Sequence, residues 1–116
     1  MICRYTFQPQ SIQEEIQLDN TVIDDLSVGE CHARGIAVNI PNTELHILQA
    51  RCRNGMLFCG VFSKEVLEKL DFPAAVFSAP AFSDMMERKP VFLTSKAVSI
   101  GAAMDMTGEE LLVLFS

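Results

Sequence analysis

The chain predicts an α+β fold: an antiparallel β-meander over about residues 34–62 that merges into a mixed sheet, with short helices packed on one face. Three observations carry that expectation. Two apolar runs meet at Asn54-Gly55, a dipeptide that favours a two-residue hairpin turn because Asn tolerates positive φ and Gly adopts it freely. Beyond the second run, short apolar stretches alternate with capped amphipathic ones, punctuated by Pro73, Pro80 and Pro90. Thr107-Gly108-Glu109-Glu110 has the spacing of a capping box and opens a segment carrying Leu111, Leu112, Leu114 and Phe115.

Residues 1–33 read as an N-terminal β and loop extension that adds edge strands or reaches a neighbouring subunit. Residues 4–7 and 15–18 have the look of short strands, Asp19-Asn20 of a turn, and 24–31 of an acidic loop with Gly29 as its turn marker. The domain proper runs over 34–116. Residues 35–40 form a strand, and Pro41-Asn42 turns the chain into the next one. A reversal centred on Asn54-Gly55 sets Arg53 opposite Met56, then pairs Cys52 with Leu57, Ala50 with Cys59, Leu48 with Val61 and His46 with Ser63. That face is nearly all apolar and should lie against helices.

The opposite face of the same hairpin carries Leu45, Ile47, Gln49 and Arg51 on one strand and Met56, Phe58 and Phe62 on the other. It is too apolar to be simply solvated. Leu45, Ile47, Met56, Phe58 and Phe62 are therefore the expected oligomer interface, and the expected partner is a second copy of the chain, in a homotetramer or homodimer. Ser63 caps a helix whose Val66, Leu67 and Leu70 should face the sheet, and the helix must stop before Phe72-Pro73. Strands at 74–78 and 91–93 then alternate with a helix at 82–88, in which Phe82, Met85 and Met86 point inward. Thr94 or Ser95 caps a helical turn carrying Ala97, Val98 and Ile100, closed by Gly101. Residues 102–106 read as a returning strand.

At 116 residues the chain is one domain, and its 49% hydrophobic content is enough to build a core without staples. A net charge of −6 argues against nucleic acid and against anionic membrane surfaces as partners. Cys3, Cys31, Cys52 and Cys59 have no metal-ligand spacing and no CxxC pair, so neither metal nor cofactor is expected. Cys52 and Cys59 are diagonal neighbours in the hairpin register, roughly 7 Å apart, and are expected to be reduced. The first ten residues lack the features of a signal peptide, and no apolar run approaches a membrane span, which predicts a cytoplasmic protein.

With the segments laid out, the chain resembles the YunC-like domain, a small bacterial and archaeal family of unknown function. The positions that carry the likeness are Ile40-Pro41, the hairpin arm Gly55-Met56-Leu57-Phe58-Cys59-Gly60, and the helix start Met106-Thr107-Gly108-Glu109-Glu110-Leu111-Leu112. They span about residues 34–115. The resemblance implies an N-terminal β region that builds a tetramer, in agreement with the apolar second face of the hairpin. Two departures stand out. The family's Gly-Val-Lys/Arg-Thr run is replaced by Ser78-Ala79-Pro80-Ala81, so a basic residue acting from that run would be lost, and Asp105 stands where the family has Gly.

Cys59 is the candidate catalytic residue, because it falls in the best-matching stretch and Gly60 beside it would admit another group to the backbone. A nucleophilic thiol needs a base or cation. On the register above, His46 lies on the same face but four residues along, on the order of 13 Å at about 3.3 Å per residue, so core packing of Cys59 is the stronger reading. His46, Arg51 and Arg53 are candidate ligand-binding residues. The two arginines could gather with Arg34 at one end of the meander and hold a carboxylate or phosphate. His32, beside Cys31, lacks further metal ligands, and Glu109 and Glu110 already fill the anion-attracting field at Thr107. The functional expectation is a homo-oligomeric binding or structural module with an unspecified small ligand. The alternative is a thiol-dependent enzyme or binder with Cys59 at a subunit interface, and whether the protein is an enzyme is left open.

Overall fold

Thr21–Val28 and Cys31–Asn39 form a long hairpin, β1 and β2, that opens a six-stranded sheet. A computed structural model of the chain describes residues 21–116, so the expectations for 4–7, 15–18 and 19–20 lie outside the described residues. His46–Arg51 (β3) and Met56–Cys59 (β4) continue the meander. Lys64–Lys69 (α1) crosses to Ala74–Phe77 (β5), which pairs with β4 in parallel. Phe82–Glu87 (α2) then leads to Phe92–Leu93 (β6), Ser95–Ser99 (α3) and Gly108–Phe115 (α4). Strand order follows chain order, and every other pairing is antiparallel. The fold is α+β, a mostly antiparallel mixed sheet with short helices.

The expected loop at 24–31 is a strand up to Val28. Its acidic residues do not prevent pairing, because Asp25 sits directly opposite Arg34 and the two form an ion pair at 3.0 Å. Gly29, at φ +62°, makes the reversal.

The hairpin between β3 and β4 turns one residue earlier than its sequence suggests. Arg51 faces Met56 and Ala50 faces Leu57, while Cys52 N–H donates to the Gly55 carbonyl at 2.9 Å, so Arg53 and Asn54 are the central pair. The Asn-Gly dipeptide answers to a different demand. Asn54 N–H donates to the Phe115 carbonyl at 2.6 Å, its Nδ2 donates to the Ser116 carbonyl at 3.1 Å, and Gly55 lies under the Phe115 ring. Docking of α4 has overridden the local turn preference. The pairing shift is two residues, an even number, so every side chain keeps the face it was expected to occupy.

On the inner face, Ala33, Leu48, Ala50, Leu57 and Phe77 pack against Met85 of α2 and Leu111, Leu112 and Phe115 of α4. On the outer face a second core forms over β4 and β5, where Phe58, Ala74 and Val76 meet Leu67 of α1, with Phe62, Phe72 and Phe92 around them. Only Leu67 of the expected α1 stripe is buried. Val66 and Leu70 are more than half exposed, because a helix of six residues offers the sheet little more than one inward position.

Thr94, not Ser95, caps α3, and Gly101 at φ +112° follows it. The expected strand at 102–106 is absent. Met106 N–H donates to the Ala103 carbonyl, and Ala103 N–H to the Met106 sulfur, which folds the segment into a turn. The capping box at Thr107 is complete: Glu110 N–H donates to Thr107 Oγ1, and Thr107 N–H donates to Glu110 Oε1.

Candidate functional site

Strands β4 and β5 run in parallel, so the loops that leave their carboxyl ends emerge side by side. Cys59 and Gly60 end the first strand, and Ser78, Ala79 and Pro80 follow the second. Together with His46 and Arg88 they line a cleft of about 330 Å³, with Ile40, Leu45 and Val61 as its apolar rim.

Arg88 is fixed where α2 ends. Its Nη1 donates to the Ser78 carbonyl at 2.6 Å, and its Nη2 lies 3.8 Å from Asp84 Oδ1, one helical turn back. The guanidinium remains half exposed, and among the described residues it is the one Lys or Arg side chain that lines this cleft, in a chain of net charge −6. Lys89-Pro90 was legible as a helix stop, but nothing in the one-dimensional pattern brings Arg88 to the loop after β5.

Cys59 forms the floor. It is buried, and its sulfur accepts the Leu48 N–H at 3.3 Å. Extending the observed pairing by one step sets Cys59 opposite Leu48, which leaves His46 two residues away along β3, about 7 Å. The structure thus brings the two closer than the expected four-residue offset and places both on one cleft. Gly60 meets little: a Cβ there would approach only the Phe77 carbonyl, at 3.8 Å.

Arg51 and Arg53 do not join this cleft. They line a separate hollow of about 310 Å³ at the other end of β3, with Met56, Phe72 and Pro73. Cys52 adjoins it, and burial pushes its thiol up to about 11, which makes it a poor nucleophile. Cys31, Cys52 and Cys59 are free thiols, and among the described residues no three His, Cys, Asp or Glu side chains come together as a metal site.

The expected interface residues separate by depth. Leu45 is exposed and Ile47, Met56 and Phe62 are half-buried, whereas Phe58 is 4% exposed, its ring 4.6 Å from that of Phe62 and 6.2 Å from that of Phe72 between centroids. Phe58 is core within the chain itself. Outer-face positions that sequence reasoning did not single out lie further across the sheet: Ile23 opposite Ile36, and Val38 opposite Ile47.

No helix among the described residues is long and apolar enough to cross a membrane. No family model matches the chain, and no curated protein matches it. Among solved structures it is similar to a protein of unknown function, TA1206 from Thermoplasma acidophilum. The TM-score is 0.74 at 18% identity, and the match covers 83% of this chain and 93% of that one. At that identity the likeness shows a shared fold.

Proposed function

We propose that the protein is a homo-oligomeric binding module whose ligand site is the cleft at the carboxyl ends of β4 and β5. The convergence of His46, Cys59 and Arg88 on that cleft carries the reading. One anchored cation, one imidazole and an apolar rim suit a small anionic molecule with a hydrocarbon portion. Arg88 also brings a basic group to the loop from which the YunC-like pattern's own is missing. The cleft is small enough to test directly. Butyrate and hexanoate should raise the melting temperature of the wild-type protein at millimolar concentration and leave Arg88→Gln unmoved, and equal shifts for both proteins would overturn the assignment.

Self-association uses the outer face of β1–β3 in this reading, at the end where Val38 faces Ile47 and away from Arg34 and Arg51. Ile23 and Leu45 are more than 60% and about 60% exposed there, beside the half-buried Ile36, Val38 and Ile47. The occupant is a second copy of the chain. Light scattering at micromolar concentration should give a multiple of 12.9 kDa, and a monomer mass would remove this part of the proposal.

The thiol-dependent reading is the weaker one. It is favoured by His46 and Cys59 sharing a cleft, and opposed by a sulfur that is buried and engaged by a backbone N–H. Alkylation of Cys59 by iodoacetamide faster than for a denatured-state thiol would revive it.

A further inference from the structure

Three of the chain's five arginines meet at the opposite end of the meander from the cleft. Arg34 and Arg51 are directly opposed across β2 and β3, a like-charge pairing that opposes the ladder unless something neutralises it. Both project to the outer face, and Arg53 follows just beyond the end of β3. Asp25, opposite Arg34 on the other side, compensates one of the three through its 3.0 Å contact. Among the described residues Arg51 and Arg53 make no ion pair, and the corner is left with two uncompensated positive charges in an otherwise acidic chain.

Shape accompanies the charge. Arg51 and Arg53 edge the hollow of about 310 Å³ whose wall is Met56, Phe72 and Pro73. The wall is held open from below: Met56 N–H donates to the Pro73 carbonyl at 3.1 Å, and Phe72 packs edge-on against buried Phe58. Planar guanidinium groups bind tetrahedral oxyanions through paired N–H donors, and two of them match a dianion better than a carboxylate.

We infer that this corner is a binding site for a phosphate monoester: Arg51 and Arg53 take the dianionic phosphoryl group, and an apolar or aromatic substituent lies on Phe72 and Pro73. The site is independent of the Cys59 cleft.

Phenyl phosphate is a suitable probe, titrated by calorimetry into the full chain at constant ionic strength and pH 8, where the phosphoryl group is doubly charged. Arg51→Gln and Arg53→Gln should each weaken binding tenfold or more, while Lys89→Gln, which removes an exposed positive charge next to Arg88 at the opposite end of the sheet, should leave it unchanged. Benzoate should bind at least tenfold more weakly than phenyl phosphate. Equal weakening by Lys89→Gln would mark diffuse electrostatic attraction and overturn the site. So would equal affinity for benzoate, or no phenyl phosphate binding below 10 mM, on the scale set by the expected ~1 mM affinity of a small exposed dianion site. All three substituted positions are exposed, so loss of binding is separable from loss of folding by circular dichroism on the same samples.

Discussion

Gly55 lies against the ring of Phe115, so close that a Cβ at residue 55 would come within 2.6 Å of the ring's Cγ. Phe115 is fully buried at the end of α4 and cannot swing into solvent without exposing the inner core. Gly55→Ala should therefore destabilise the protein by about 1–3 kcal/mol through overpacking, read as a lower urea midpoint with an unchanged slope. In a Phe115→Leu background the same substitution should cost less, because the smaller side chain gives way. A double-mutant cycle without coupling would refute the contact as the cause.

That contact also explains which parts of the fold were legible in the sequence. Asn54-Gly55 announced a reversal, and one occurs there, but the glycine is required by a ring sixty residues away and not by its backbone angle. Local patterns carried what local physics decides: the Ser63, Thr94 and Thr107 caps, the short strands and the two-faced hairpin. They missed what only the assembled molecule creates. The strand at β1 looked like an acidic loop because the counter-charge of Asp25 comes from Arg34 on the next strand. Residues 102–106 looked like a strand because the methionine-capped turn there uses an unusual sulfur acceptor. At the candidate site, Cys59 and His46 were visible as residue types, yet their proximity depended on the register, and Arg88 depended on where α2 ends.

Gly108 should be even less tolerant than Gly55. It is the first residue of α4, and a Cβ there would lie 2.1 Å from the Met85 carbonyl oxygen and 2.9 Å from Met86 Cα, both backbone atoms of α2. Its N–H donates to the Arg88 carbonyl at 3.0 Å, which pins the start of one helix to the end of the other. Side chains can rotate away from an intruding methyl, whereas two packed backbones must separate. Gly108→Ala is expected to cost about 3 kcal/mol or more, although alanine is the better helix former. A chemical-denaturation midpoint equal to or above the wild type would show that α2 and α4 do not pack this closely.

Thr94 is the one buried polar side chain among the described residues, and its hydroxyl joins three elements. It donates to the Phe72 carbonyl at 2.8 Å, accepts the Ala74 N–H at 3.0 Å, and caps α3 by accepting the Ala97 N–H at 3.3 Å. Thr94→Val keeps the shape but strands those partners in the interior, for a loss of about 2 kcal/mol. Thr94→Ser keeps the hydroxyl and should lose less than half as much. Thermal unfolding that ranked serine below valine would mean that the methyl packing, not the hydrogen bonding, holds β5 to α3.

Glu68 supplies the clearest pH dependence. From α1 it reaches the first residue of α3, where Oε1 accepts the Ser95 N–H at 2.9 Å and Oε2 accepts the Ser95 hydroxyl proton. Those hydrogen bonds favour the ionised form and hold its carboxyl below the usual 4.5. A group whose pKa is depressed on folding binds fewer protons in the folded state than in the unfolded one. Its stabilisation is therefore present above the unfolded value near 4.5 and disappears as pH falls through the lower folded value. Glu68→Gln should melt below the wild type at pH 7, by a modest margin because the group is exposed. The two melting curves should converge as pH is lowered from 5 to well below 4.5. A gap that stays constant over that range would show that the link between α1 and α3 owes nothing to the charge on Glu68.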